Sequence, residues 1–249
     1  MAAGRGFLNR TNRFIIAAGA TAIAWVGTPL PGGARQLQAR TALQRFLERA
    51  DEPRVEYRAL RRLEAHNAAF KADAWMIAWT ESSNAGGFRY QIVSEGGSGY
   101  VRRRVLRPAL EGERAMWASH EPDRASITEG NYQFDDAGRL ADGLAAVGIR
   151  PRRKDVLLVD GAIYVVPEDG DLRRIEGRLS KAPSMWTRRV EIVRHYTRIA
   201  GVRVPTSIES VASVLIAGRS TFRMTYEYQT INGQHVGDPR PDPALTTHD

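Results

Sequence analysis

The chain contains no cysteine among its 249 residues. Disulfide bonds, thiolate zinc sites, a cysteine nucleophile and a lipid-modified N-terminal cysteine are therefore excluded. The sequence also lacks a Gly-x-Ser-x-Gly elbow and a glycine-rich loop followed by a phosphate-binding lysine. Its histidines do not have the spacing of metal ligands: His66, His120, His195, His235 and His248. We therefore predict no enzyme activity, no metal and no cofactor.

A hydrophobic run long enough to cross a membrane is missing as well. The apolar run at residues 14–27 has about 14 residues, whereas a spanning helix needs about 20. Arginines precede this run, and the small residues Gly32 and Ala34 follow it, which is the order of a secretory signal. We predict that residues 1–34 are a signal peptide and that the folded part is exported. An uncleaved N-terminal anchor is the alternative.

Acidic residues are too few to balance the basic ones, and the formal net charge is +8. The basic residues are spread along the chain and do not form a tail. This distribution favours a solvated basic surface, able to meet anionic head groups or an acidic partner, over a nucleic-acid-binding region. We predict no nucleic-acid partner.

Alternation with a period of two dominates what is present, above all in residues 171–233. In TFRMTYEYQTI, Met224, Tyr226 and Tyr228 fall on one face of a strand, and charged or polar residues fall on the other. Such a pattern is typical of a half-buried antiparallel strand.

A second strand of this region, TRRVEIVRHY, places Val190, Ile192 and Tyr196 on a common face. Between Val190 and Tyr196, Arg194 is the one polar residue on that face. Glycine, proline and Asn-Gly breaks separate these runs at the spacing of strands and turns.

Earlier in the chain, WMIAWT predicts a strand with Trp75, Ile77 and Trp79 on one face. Its other face is apolar too, so both faces need to be covered by a helix or by something bound. Tyr90 and Ile92 repeat the alternation after a glycine turn, which predicts a hairpin.

The remaining segments complete the predicted architecture. We expect an amphipathic helix over residues 36–50, a strand over residues 100–106 (YVRRRVL), a helix with Pro108 in its first turn, and a hairpin turn at Asp160-Gly161. The result is an α+β fold. It is a curved antiparallel sheet, an incomplete β-barrel, with helices packed on or covering its concave face. The expected domain spans residues 36–236, followed by a disordered tail, 237–249.

Several segments together resemble the LolA-like superfamily of outer-membrane lipoprotein-sorting proteins and their exported relatives. They are GGFRYQIVSEGGSGYVRRRVL, NYQF, the run from DGDLRRIEGRL to AGVRVP, and FRMTYEYQTING. The resemblance covers roughly residues 57–233. It implies an incomplete antiparallel barrel whose helices form a lid over an apolar cavity for acyl chains. The signal peptide agrees with a periplasmic carrier, and the missing cysteine argues against the lipidated acceptor of the same fold.

The resemblance implies a lipid or a lipoprotein acyl chain as the partner of a carrier or sensor. An envelope protein partner and peripheral contact with a membrane are compatible with this function. Two alternatives stay open: a periplasmic protein-interaction or stress-sensing module without a lipid cavity, and an enzyme whose titratable groups meet only in the fold.

Burying unpaired charge is costly, so the uncharged strand faces are predicted to line the ligand. The predicted ligand-lining residues are Trp75, Ile77, Trp79, Tyr90, Ile92, Val190, Ile192, Met224, Tyr226 and Tyr228.

Overall fold

A computed structural model of the protein describes residues 41–49, 52–118, 122–185, 187–215 and 218–241. The predicted signal peptide and the last part of the predicted tail lie outside these residues, as do residues 36–40 and 50 of the predicted first helix.

Eleven strands form a single antiparallel sheet in the described residues. They are β1 (Glu56–Asn67), β2 (Ala72–Ser83), β3 (Gly87–Gly97), β4 (Tyr132–Ala141), β5 (Leu144–Pro151), β6 (Val159–Val165), β7 (Leu172–Leu179), β8 (Thr187–Ile199), β9 (Val202–Val214), β10 (Gly218–Ile231) and β11 (Gln234–His235).

The strand order is β3-β2-β1-β10-β9-β8-β7-β6-β5-β4, with β11 beside β10, and the sheet does not close into a barrel. Neighbouring strands in the sheet are also consecutive in sequence, with one exception. That exception is the pairing of β1, the first strand, with β10, which comes late in the sequence. The predicted α+β class, an open antiparallel sheet with helices, is confirmed.

The helices lie before β1 and between β3 and β4. Helix α1 covers residues 41–48. The second helical region consists of α2 (Gly99–Val101), a π-helical segment (Arg102–Leu106) and α3 (Arg107–Ala118), and a short 3-10 turn (Pro122–Ala125) follows. No helix in the described part of the chain is long and apolar enough to cross a membrane.

The predicted strand over residues 100–106 is wrong, because this segment is helical. Ser98 caps the helix by accepting a hydrogen bond from the Val101 amide. Val101 and Leu106 are buried, five positions apart, on the turn that the π-helical segment widens. The strand prediction failed because apolar residues on both sides of an arginine run, here Val101 and Leu106, are compatible with a π-helical turn as well as with a strand.

The predicted turn at Asp160-Gly161 is also wrong, because both residues lie inside β6. Gly161 pairs with Gly177 of β7. A Cβ atom on Gly161 would lie 2.0 Å from the Glu176 carbonyl oxygen, so the glycine permits a close approach of two strands. It does not serve a turn here.

Two hydrophobic clusters hold the helices to the sheet. The first cluster joins α2–α3 to strands at one end of the sheet: Tyr57, Ala59, Leu63, Ala65, Ala74, Met76, Ala78, Phe88, Val101, Leu106, Leu110, Val202, Val204, Met224, Tyr228 and Ile231. The second cluster joins α1 to strands at the other end: Ala42, Phe46, Tyr132, Ala145, Val147, Ile149, Leu158, Val159, Ile163, Val165, Leu172, Ile175 and Ile192. Ile208 of β9 packs against both clusters, so they share one face of the sheet.

Candidate ligand-binding face

We call the side of the sheet that carries both clusters the helix-covered face. Five of the predicted ligand-lining residues belong to its first cluster or pack against it: Met224 and Tyr228 as buried members, and Tyr90, Ile92 and Tyr226 as partly buried neighbours. Residues of β3 and β10, two strands far apart in sequence, therefore lie on the same face and contact the same cluster.

Val190 and Ile192 lie on the same face at the other end of the sheet. Ile192 is a buried member of the second cluster. Val190 is also buried and lies two positions earlier on β8, which places its side chain on the same side as that of Ile192.

The tryptophan face of β2 points the other way. Met76 pairs with Leu63, and the alternate residues Ala74, Met76 and Ala78 are the ones in the first cluster. Trp75, Ile77 and Trp79 therefore lie on the face away from the helices, contrary to their predicted grouping with the other residues. Both faces of β2 are apolar, so the alternation alone did not decide its orientation. That any of the ten residues contacts a ligand stays a prediction.

The opposite face has its own packing around these tryptophans. The Arg58 guanidinium lies 4.7 Å from the centre of the Trp79 ring. The Trp75 indole lies against Gly96 of β3, where a Cβ atom would be only 2.6 Å from its Nε1. Ile77 is 1% exposed. The apolar character of this face is thus used in packing within the protein.

A buried arginine lies at the centre of the first cluster. The Arg61 side chain of β1 lies on the helix-covered face, and the residue is only 1% exposed. Its Nη1 donates to Glu113 Oε2 of α3 at 2.5 Å, and its Nη2 donates to Glu113 Oε1 at 2.9 Å. Nη2 also donates to the Tyr57 hydroxyl, which in turn donates to Glu113 Oε1 at 3.1 Å. The pair fastens α3 to the first strand of the sheet.

Three aromatic rings surround the Arg61 guanidinium. Its central carbon is 4.6 Å from the centre of the Tyr226 ring, 5.2 Å from that of Phe88 and 5.8 Å from that of Tyr57. Cation–π contacts of this kind stabilise a desolvated guanidinium. Tyr226 stacks on Tyr228 at 6.1 Å. The predicted aromatic residues of β10 therefore contribute to an arginine-binding network.

The charges of this network support one another. Burial alone would raise the pKa of Glu113, but the Arg61 guanidinium holds this pKa below its ordinary value of 4.5. Burial alone would lower the pKa of Arg61, but Glu113 keeps it well above its ordinary value. Burial raises the pKa of Tyr57 to about 12. The pair is therefore charged and the tyrosine neutral at neutral pH.

Helix α1 is attached in a different way. Phe46 is buried in the second cluster. Gly170, in the turn after β6, has a φ of +71°, and a Cβ there would lie 2.4 Å from the Phe46 amide nitrogen. At the surface, Arg49 donates to the Asp169 carbonyl oxygen at 2.6 Å and pairs with its carboxylate at 3.1 Å. Close backbone approach and exposed polar contacts hold this helix.

Part of the helix-covered face remains accessible. Ile92 of β3, Ile208 of β9 and Phe222 of β10 pack against the first cluster but are only partly buried. In α3, Leu110 is the buried side chain, while Trp117 is partly buried. The helix thus covers the apolar surface incompletely.

A separate groove of about 410 Å³ opens where β6, β7 and β8 meet. It is lined by Asp160, Glu176, Gly177, Arg178, Arg189, Glu191, Ile192 and Val193. Its charges are largely paired with one another, for example Arg178 with Asp160 and Arg189 with Glu191, each at 2.9 Å. A lining of this polarity does not suit an acyl chain.

Neither a protein-family model nor a curated protein matches this sequence. Among solved structures, the chain is similar to a LolA superfamily protein from Nitrosomonas europaea, with a TM-score of 0.38, 10% identity, and coverage of 81% of this chain and 94% of that one. It is also similar to a putative outer membrane lipoprotein-sorting protein domain from Vibrio parahaemolyticus, with a TM-score of 0.32, 11% identity, and coverage of 80% and 94%.

A third similar structure is a DUF1329 family protein from Desulfovibrio piger, with a TM-score of 0.33, 9% identity, and coverage of 79% of this chain and 91% of that one. All three TM-scores lie below 0.5.

Proposed function

We propose that this chain is an exported, periplasmic protein of the cell envelope that binds a hydrophobic ligand on the helix-covered face. The ligand is an acyl chain, either of a lipoprotein or of a free lipid, and the protein acts as its carrier or sensor. The observation that carries this proposal is the partial exposure of large apolar side chains there, notably Ile92, Ile208 and Phe222. Apolar surface grouped in this way is typical of binding grooves.

The energetics of such a ligand agree with the absence of a catalytic motif. Each buried methylene group contributes about 0.8 kcal/mol, so a chain of about fourteen contributes on the order of 10 kcal/mol before ordering costs. Shape and apolarity are therefore sufficient for binding. The signal-peptide pattern at residues 1–34 and the resemblance in sequence support export to the periplasm.

The second candidate function is a protein-interaction or stress-sensing module. The observation that favours it is the Arg61 network, which fills the space between α3 and β1 with side chains of the protein itself. In this case, the partly exposed apolar residues contact a partner protein, and no acyl chain enters.

Uptake of a fluorescent acyl probe by delipidated protein distinguishes the two functions. Ile92→Asp places a charge on the helix-covered face and should reduce uptake strongly, because burial of an unpaired carboxylate opposes an apolar ligand. Val93→Asp is the matched control, since Val93 is the next residue on β3 and is 43% exposed. It should leave uptake unchanged.

Native mass spectrometry of the protein purified from its own envelope provides the second measurement. Co-purified lipid that is lost on delipidation and regained on addition supports the carrier or sensor. No bound lipid, together with no probe uptake by the unmodified protein, would rule it out in favour of the interaction module.

A further inference from the structure

One row of paired residues crosses eight strands on the helix-covered face. From β5 to β2 its members are Val147, Ile163, Ile175, Arg194, Ile208, Met224, Leu63 and Met76. Arg194, on β8, is the one charged residue in this row. It lies between Ile175 of the second cluster and Ile208, which contacts both clusters. The arginine therefore lies where the two helix-covered regions meet.

Arg194 differs from Arg61 in its polar contacts. Among the described residues it forms no ion pair and no hydrogen bond, and its Nε is closed to solvent and unpaired. The charge of Arg194 acts on both Tyr132 of β4 and Tyr226 of β10, where it opposes the larger effect of burial, which raises the pKa of each phenol. The side chain thus lies within electrostatic reach of strands on both sides.

The surroundings of Arg194 are apolar and partly open. Ile208 beside it is partly buried, as are Tyr196 on the same strand and Tyr226 on β10. From Arg194 the row passes to the partly buried Ile208 and then to Met224, Leu63 and Met76, which are buried in the first cluster. The apolar side chains that stay partly open beyond Arg194, on β9 and β10, are those of Ile208, Tyr226 and Phe222. A cation beside partly exposed apolar side chains matches a molecule with an anionic head and an apolar tail.

We propose that Arg194 binds the anionic head group, a carboxylate or a phosphate, of a single-chain amphiphile whose tail contacts the partly exposed side chains of Ile208, Tyr226 and Phe222. The inference deepens the proposed function and rests on it, since it names the chemical class of the ligand. A planar guanidinium donates paired hydrogen bonds to either anion, and a partly desolvated site strengthens them. The head group would provide the partner that the described residues do not supply.

Displacement of an uncharged fluorescent acyl probe tests this assignment with three ligands of equal chain length: hexadecanoate, hexadecyl phosphate and hexadecanol. The unmodified protein should bind at least one anion about tenfold or more tightly than the alcohol, the size expected for a hydrogen bond to a charged group. The ratio between the two anions identifies which head group fits better. Arg194→Gln should remove the preference and leave the affinity for hexadecanol unchanged.

Arg223→Gln is the matched control, because Arg223 lies on β10 with 59% of its side chain exposed and makes a surface ion pair with Glu209. It should retain the preference for the anion. Rising salt concentration should weaken anion binding by the unmodified protein and leave hexadecanol binding unchanged, a result that needs no variant.

Four results would overturn the assignment of Arg194. They are an equal affinity of the unmodified protein for the anions and the alcohol, an anion preference that survives Arg194→Gln, an equal weakening of all three ligands by that variant, or anion binding that salt does not affect. Each leaves the acyl-chain function intact as long as hexadecanol binds. If the unmodified protein binds none of the three ligands, the acyl-chain function itself fails.

Discussion

The two helix-covered regions of the sheet fasten their helices by different physical means. Near β1, the first cluster encloses a charged pair, Arg61 and Glu113, and a set of aromatic rings. Near β6, the second cluster is apolar, and α1 is positioned by the packing of Phe46 and by the close approach of Gly170. A buried ion pair is sensitive to the loss of either partner and to pH, whereas apolar packing depends on shape. The difference indicates that the attachment of α3 depends on a buried charged pair, whereas the charged contacts of α1 are at the surface.

The largest expected effect is the loss of one partner of the buried pair. Arg61→Met leaves Glu113 buried without its cation, which should reduce the free energy of unfolding by about 3–5 kcal/mol. The double variant Arg61→Met with Glu113→Leu should recover most of this loss, because an apolar pair of similar volume fits the cluster. Urea denaturation measures both. A double variant no more stable than Arg61→Met would contradict the charge-based attachment of α3.

A smaller loss is expected from Gly170→Ala, at about 2 kcal/mol, because the new Cβ meets the backbone of α1 and the residue has a positive φ. Gly87→Ala is the matched control. Gly87 has a φ of +63° and nothing within 4 Å of the added Cβ, so it reports the backbone strain alone. Thermal denaturation gives the loss of stability of each variant. The loss for Gly170→Ala minus that for Gly87→Ala is the contribution of the contact with α1. Equal losses would mean that the close approach of α1 contributes nothing.

The smallest effect concerns pH. The pKa of Glu113 is lowered in the folded protein, so its contribution to stability is complete above the unfolded pKa and is lost as pH falls through the folded one. The stability of the unmodified protein should therefore decrease as the pH falls below the ordinary carboxyl pKa of 4.5. The double variant lacking both charges should lose less over the same range. Denaturation midpoints across the acidic range measure this, and parallel curves for the two proteins would argue against it.

Much of the fold followed from the sequence because strand alternation is a local property. The alternation of Tyr90 with Ile92, and of Met224 with Tyr226 and Tyr228, placed each set on a common face, and the structure has them there. The pairing of β1 with β10 brings together strands from opposite ends of the sheet region, and no local pattern predicts such a contact.

The candidate site was harder to predict because the prediction assumed that a charged residue avoids the covered face. Arg61 shows why this fails: it continues the alternation of Tyr57 and Ala59 and is buried because Glu113 neutralises its charge across 52 positions of sequence. The signal available was the alternation itself, with an arginine at an inward position. The predicted face of Ile77 and its neighbouring tryptophans was wrong because both faces of β2 are apolar over residues 75–79, so no charged residue in that run marked the outer face.

The π-helical segment Arg102–Leu106 sets the rotational phase of the helix that follows it. Its Arg107 amide donates to the Arg102 carbonyl oxygen, a bond one residue longer than in an α-helix, just before Pro108, which has no amide hydrogen to donate. One residue corresponds to about 100° of rotation at 3.6 residues per turn. Without the extra residue, Glu113 would point about a quarter turn away from Arg61. A single inserted codon at this point is therefore enough to bring a surface carboxylate to a buried arginine, with no change to the sheet.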